Sequence, residues 1–274
     1  MGVLMTQTED QNLTKEWKNA TLANNFIFYK VMRHHRQECK HLIEMLLNVK
    51  IKRMEMHNEE VIDVDHDAKG IRLDIYVKEK TSMYDIELQV ADTAELPERS
   101  RFYSAIMSVD TLQAGDHYKT LRDSHVIFIC MEDIFDKGLP VYTFEYTCQE
   151  DGKTKLNDRD YRHFFIAPNC AKMIKDKELK AFFEFLISGK PDSKFTEKLK
   201  VYVEDAKQNT QWRMQYMTLA RLKTYAYDQG RIEKAVEDAL VLINDFNAAP
   251  EVAAKKMNAP LEKVLAALGK IKSN

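Results

Sequence analysis

Two segments constrain this chain most: Ile71 to Val77 (IRLDIYV) and Tyr84 to Val90 (YDIELQV), each alternating apolar and polar residues without a slip. Ile71, Leu73, Ile75 and Val77 share one parity in the first; Tyr84, Ile86, Leu88 and Val90 share it in the second. Period two is the signature of a β-strand with one face on a core. The connecting stretch Lys78 to Met83 is short and polar, so the strands are expected to pair antiparallel. Asp74, Glu87 and Gln89 then fall together on the face opposite the apolar residues.

Two carboxylates brought close repel one another and favour a cation between them. A hard divalent ion with oxygen ligands, Mg²⁺ or Mn²⁺, suits such a pair. A solvated sheet face accounts for the same alternation, since antiparallel sheets commonly turn one polar face to water. Spacing leaves both readings open.

Further segments follow in a particular order. Leu96-Pro97-Glu98-Arg99-Ser100-Arg101-Phe102-Tyr103 opens a helical stretch with Pro97 in its first turn. His125 to Phe135 (HVIFICMEDIF) begins as a near-continuous apolar strand, the pattern of a strand covered on both faces. Asn24-Asn25-Phe26-Ile27-Phe28-Tyr29-Lys30-Val31-Met32 precedes the acidic hairpin, and Tyr225-Ala226-Tyr227-Asp228-Gln229-Gly230 comes late. In this order the segments resemble the recombination-promoting nuclease and transposase-like branch of the PD-(D/E)xK nuclease superfamily, over most of residues 20 to 230.

That resemblance implies a metal-dependent DNA endonuclease, with a catalytically weak nuclease fold that binds DNA or protein as the alternative. Asp74 matches the metal-binding Asp, and Glu87 matches the Glu of a Glu-x-Lys or Glu-x-Gln element, with the Leu88 backbone carbonyl as a further ligand. Gln89 stands where most of the superfamily carries Lys. It can hydrogen-bond the attacking water but brings no charge. The first-helix acid of the family falls on Glu44, within Gln37 to Asn48, as a further candidate metal ligand, with a solvent-facing helix acid as the other reading. Asn25 replaces the Asp frequent in the family's opening. Arg99, Arg101 and Tyr103 are candidate phosphate contacts, Arg101 foremost, because a guanidinium can grip two oxygens at once. A solvated helix face, or ion pairs with Glu95 or Glu98, would also explain these arginines.

The implied fold class is α/β: a three-layer, restriction-endonuclease-like core with a mixed sheet, followed by an α-helical C-terminal region. The expected organisation is a polar lead over 1–20, the nuclease-like core over 21–175, a helical extension over 176–247 and a small helical tail over 248–274 whose two short helices could form a helix-turn-helix. Glu60 to Val64 reads as an edge strand before the hairpin, and Trp212, Met214, Met217, Leu219 and Leu222 as core or helix-pairing residues. The C-terminal helices suit homo-oligomer assembly better than DNA readout.

The formal net charge of −2 offers no global attraction to a polyanion, so any DNA contact must be local. Lys50, Lys52 and Arg53, and Lys194, Lys198 and Lys200, are the basic runs available. Cys39, Cys130, Cys148 and Cys170 lack zinc spacing and read as reduced thiols of a cytoplasmic protein. No apolar run is long enough to span a bilayer, so no membrane partner is expected.

Overall fold

The computed structural model describes residues 7–56, 61–62, 71–72, 75–90 and 94–271. Contacts divide the chain into two units, residues 19–209 and residues 1–18 with 210–274.

The larger unit is built on a six-stranded sheet in the order β1-β4-β5-β6-β8-β7. Its strands are β1 (Glu55–Met56), β4 (Ile75–Lys78), β5 (Ser82–Gln89), β6 (Asp123–Cys130), β7 (Val141–Phe144) and β8 (Asp160–Ile166). β4 and β5 form the expected antiparallel hairpin, pairing Ile75 with Ile86 and Lys78 with Met83. β5, β6 and β8 are mutually parallel, and β7 returns antiparallel along β8. A parallel neighbour requires a crossover, and helix α4 (Leu96–Thr111) supplies it between β5 and β6. Its start agrees with the position of Pro97.

Two further pairs of residues, β2 (Val61–Ile62) and β3 (Ile71–Arg72), form a separate antiparallel ladder. Ile71 therefore pairs with β2 and not along the hairpin. The remaining residues of the expected 60–64 edge strand lie outside the described residues.

One sheet face carries α4. Leu96, Tyr103, Ile106 and Met107 pack on Tyr76, Met83, Val126, Phe128, Cys130, Phe164 and Ile166. The helix is also tied by polar contacts. Asp110 accepts from Tyr76 Oη at 3.0 Å and pairs with Lys78 at 2.6 Å, while Ser104 donates to Asp160 at 2.6 Å. The opposite face, lined by Ile75, Val77, Ile86, Leu88, Ile127 and Ile129, is covered by α2 (Asn25–His34) and by α6 (Lys177–Ser188), whose Phe183 stacks on Phe165 at 6.1 Å. Helices on both sides of a mixed sheet give the three layers expected.

The expected boundary at 175 does not coincide with a break in packing. α6 and α7 (Lys194–Gln208) belong to the sheet-bearing unit, because Leu179, Phe182, Phe183, Phe195, Leu199 and Val203 are all buried. Asn24 caps α2, its side chain accepting from the Phe26 and Ile27 amides at 3.1 and 3.2 Å. The charge missing at Asn25 therefore costs that helix no cap. Gly189 closes α6 with φ of 68°, a left-handed conformation suited to glycine.

The second unit is helical. The polar lead forms α1 (Gln7–Asn19), whose Trp17 ring lies 5.1 Å from Tyr216 of α8 (Thr210–Phe246). α8 packs with α9 (Pro250–Met257) and α10 (Leu261–Ile271) around Val236, Ala239, Ala253, Ala254 and Val264. The apolar residues of α8 in this cluster lie in its C-terminal half, and Met214, Leu219 and Leu222, expected to be core or helix-pairing residues, are exposed. Among the described residues no helix is long and apolar enough to cross a membrane.

Candidate functional site

The C-terminal end of β5 and the first turns of α4 come together, and this junction holds most of the candidate residues that are described. In open α/β sheets the carboxyl ends of parallel strands are where ligands collect. Glu87 is 5% exposed and Asp85 fully buried. Strand alternation aims Asp85, Glu87 and Gln89 at α4, in the company of Val126, Phe128 and Cys130, their register partners on β6. β5 is covered on both faces, so a half-buried hairpin with a solvated polar face does not describe it. The acids lie beneath a helix.

Arg99 organises the junction. Its guanidinium donates to Gln89 Oε1 at 3.1 Å and to Tyr103 Oη at 2.9 Å, and stands 3.6 Å from Glu87 Oε2. The same group lies 5.4 Å above the Tyr103 ring and 5.7 Å from that of Phe128. Positions 99 and 103 are one helical turn apart and share a face. Burial, then the neighbouring Glu87 charge, push the Tyr103 phenol up to about 12 against the opposing effect of Arg99. It is therefore a neutral hydroxyl at physiological pH. Arg101, two residues along, is exposed on the outer side of α4.

Glu44 lies elsewhere. Its Oε1 accepts from the Ile51 amide at 2.8 Å and faces Lys40 at 4.0 Å, and it lines a polar cleft with His41, Asn48, Asp176 and Glu178. Gln89 O accepts from Met131 N at 2.9 Å, on the β6 side. Successive carbonyls of a strand point to alternate edges, which directs the Leu88 carbonyl toward the β4 side, past the last described β4–β5 pair at Ile86. Asp74 lies outside the described residues. Asp85 was passed over by the sequence reasoning, although its parity with Glu87 and Gln89 was the available signal.

A divalent metal is the cofactor such a site implies. The donor chemistry fits: the buried Glu87 carboxylate and the Leu88 peptide carbonyl are hard oxygen ligands of the kind Mg²⁺ and Mn²⁺ take. Among the described residues no group of three or more His, Cys, Asp or Glu is gathered for a metal, so the set is partial without Asp74.

A mixed six-stranded sheet with helices on both faces, in which a crossover helix returns a parallel neighbour, is the restriction-endonuclease-like α/β core that the sequence resemblance implies. The family described as PD-(D/E)XK nuclease family transposase matches residues 39–244. The chain belongs to that family, and is thereby a nuclease-like protein of the kind linked to transposition and recombination. No curated protein and no solved structure matches it.

Proposed function

We propose that the protein is a Mg²⁺- or Mn²⁺-dependent DNA endonuclease whose centre is the β5–α4 junction. The observation that carries this reading is the buried Glu87 carboxylate, with Gln89 beside it, held against Arg99 at the strand's carboxyl end, in a chain of a nuclease family.

Glu87, the Leu88 carbonyl and Asp74 are the proposed metal ligands. Asp74 is chosen because it matches the metal-binding Asp of the family, and it lies outside the described residues. The bound ion would polarise the scissile phosphate and lower the pKa of a coordinated water. Gln89 orients that water. The hydrogen bond from Arg99 to Oε1 sets the amide so that Nε2 is the donor end. Arg99 brings the positive charge that Gln89 lacks, and its planar fork suits a phosphate oxygen pair on which negative charge builds. Tyr103 holds Arg99 from below as a neutral acceptor. Arg101, exposed on α4, is left to contact the DNA backbone outside the centre.

A second reading has one observation in its favour. The Glu87–Arg99 ion pair also suits a catalytically weak member of the family that binds DNA or a protein partner. Plasmid nicking distinguishes the two, with wild type compared against Asp74→Ala and Glu87→Ala, each checked for folding by circular dichroism. The nuclease reading expects nicking that needs Mg²⁺ or Mn²⁺ and vanishes in both variants. Equal nicking in all three proteins would remove the assignment of this site.

A further inference from the structure

On the far side of the same helix turn lies a second concavity, of about 290 Å³. Small-molecule sites begin near roughly 300 Å³, so the space suits a single planar ring system. Its walls are aromatic. Phe164 forms the floor, with Phe135 and Phe144 set edge-on to it at 5.1 and 5.7 Å and at 88° and 83°. Tyr146 stands at the rim with the Arg162 guanidinium 5.5 Å from its ring. Phe144 and Tyr146 are 42% and 47% exposed, so both rings keep aromatic surface accessible from solvent.

The walls are held in place. Asp133 accepts from the Phe135 and Gly138 amides at 3.1 and 2.8 Å and from Tyr142 Oη at 2.9 Å, which fixes the loop that carries Phe135. Arg162 is clamped by Asp160 at 2.6 Å.

The cleft and the proposed centre flank the same turn of α4. Pro97 and Ser100 line it, while Arg99 between them reaches Glu87 and Gln89. Phe128 bridges the two places, 5.7 Å from the Arg99 guanidinium and 5.4 Å from the Phe164 ring. Laid end to end, those distances bound the separation of guanidinium and cleft floor at about 11 Å, close enough for neighbouring nucleotides of one strand to occupy both.

We propose that this cleft receives one unpaired nucleobase of the strand whose phosphate lies at Arg99, so that the preferred substrate is DNA with unpaired bases, single-stranded or branched. The inference rests on the nuclease reading for its choice of strand. A base inside a duplex cannot reach aromatic walls without leaving its stack, whereas an unpaired base stacks on them with little regard to sequence. Phe144 and Tyr146 supply the stacking faces, and Arg162 adds a planar cation beside them.

The test uses the full chain with Ca²⁺ in place of Mg²⁺ and a single-stranded oligonucleotide carrying 2-aminopurine. Binding is read by anisotropy and stacking by quenching of the 2-aminopurine fluorescence. The expected result is quenching, with single strands bound at least tenfold tighter than the matching blunt duplex. Phe144→Ala and Tyr146→Ala should each weaken single-strand binding about tenfold, the effect of losing one base–aromatic stack, and leave duplex binding unchanged. Phe144→Trp should retain it. Quenching that persists in a preparation that cuts nothing would remove the nuclease reading and support the cleft. Cutting with equal single-strand and duplex affinity, or affinity unmoved in both alanine variants, would overturn the cleft and spare the nuclease.

Discussion

Arg99→Ala separates a structural ion pair from a metal centre because the two respond oppositely to divalent ions. At 3.6 Å the Arg99–Glu87 attraction is about 4–5 kcal/mol for an effective dielectric constant near 20. Arg99 has 30% of its side chain exposed, and screening through water reduces the pair to about 2–3 kcal/mol. Removing the guanidinium also leaves Glu87, 5% exposed, without that cation, a change that destabilises. In chelator, the variant should therefore melt about 5–10 °C below wild type, at about 2–4 °C per kcal/mol for a unit of this size. A divalent ion then takes over the role of the lost charge. At about a hundred times its Kd it contributes about 2.7 kcal/mol, enough to restore the melting temperature. In wild type the gain should be smaller, since the ion must displace Arg99 from Glu87. The assay is thermal melting followed by far-ultraviolet circular dichroism, with EDTA and with Ca²⁺, for wild type, Arg99→Ala and Arg101→Ala. Arg101→Ala should melt with wild type in both buffers. An Arg99→Ala protein as stable as wild type in EDTA, or one that Ca²⁺ fails to stabilise, would refute the reasoning.

Acid should weaken the fold through a histidine pair on β6 and β8. His125 Nδ1 and His163 Nε2 are 3.1 Å apart. Burial, then the His163 neighbour, hold His125 down at about 3, and burial holds His163 at about 4. Both folded values lie below the usual 6.5, so the unfolded chain takes up protons first, and stability present above about pH 6.5 is lost as the pH falls toward 4. Each histidine should remove about 2 kcal/mol between pH 8 and pH 5. Urea unfolding at those two pH values checks this, with His125→Phe expected to halve the loss; an undiminished loss in that variant would place its cause elsewhere.

Much of this site was legible in the sequence, and the reasons differ by residue. The alternation through Tyr84, Ile86 and Leu88 fixed β5 as a strand, and Pro97 fixed the start of α4, because both signals are local. The burial of the acidic face was not legible. Which helix covers a strand face is a tertiary matter, and a charged residue reads as solvated until its cover is known. The choice between Arg99 and Arg101 turned on the rotational phase of α4. Its inward face includes Ser100 and Ser104 as well as Tyr103, Ile106 and Met107, so small polar residues blur the periodicity that would have set the phase. The separation of α7 from α8 at Asn209 was likewise hidden: Asn209 has an extended ψ of 106°, and neither Gly nor Pro announces it. The aromatic cleft escaped for a different reason. Phe135, Phe144 and Phe164 lie on a loop and two strands, and only the β7–β8 register, Thr143 with His163 and Tyr142 with Phe164, brings them together.

The central claim is that Glu87 holds a divalent metal at the end of β5. Mn²⁺ binding followed by electron paramagnetic resonance tests it without requiring turnover. Wild type and Glu44→Ala, whose native carboxylate serves Ile51, should take up the ion, while Glu87→Gln and Asp74→Asn should lose at least tenfold in affinity. Binding that is unchanged in Glu87→Gln, or abolished only in Glu44→Ala, would contradict the account.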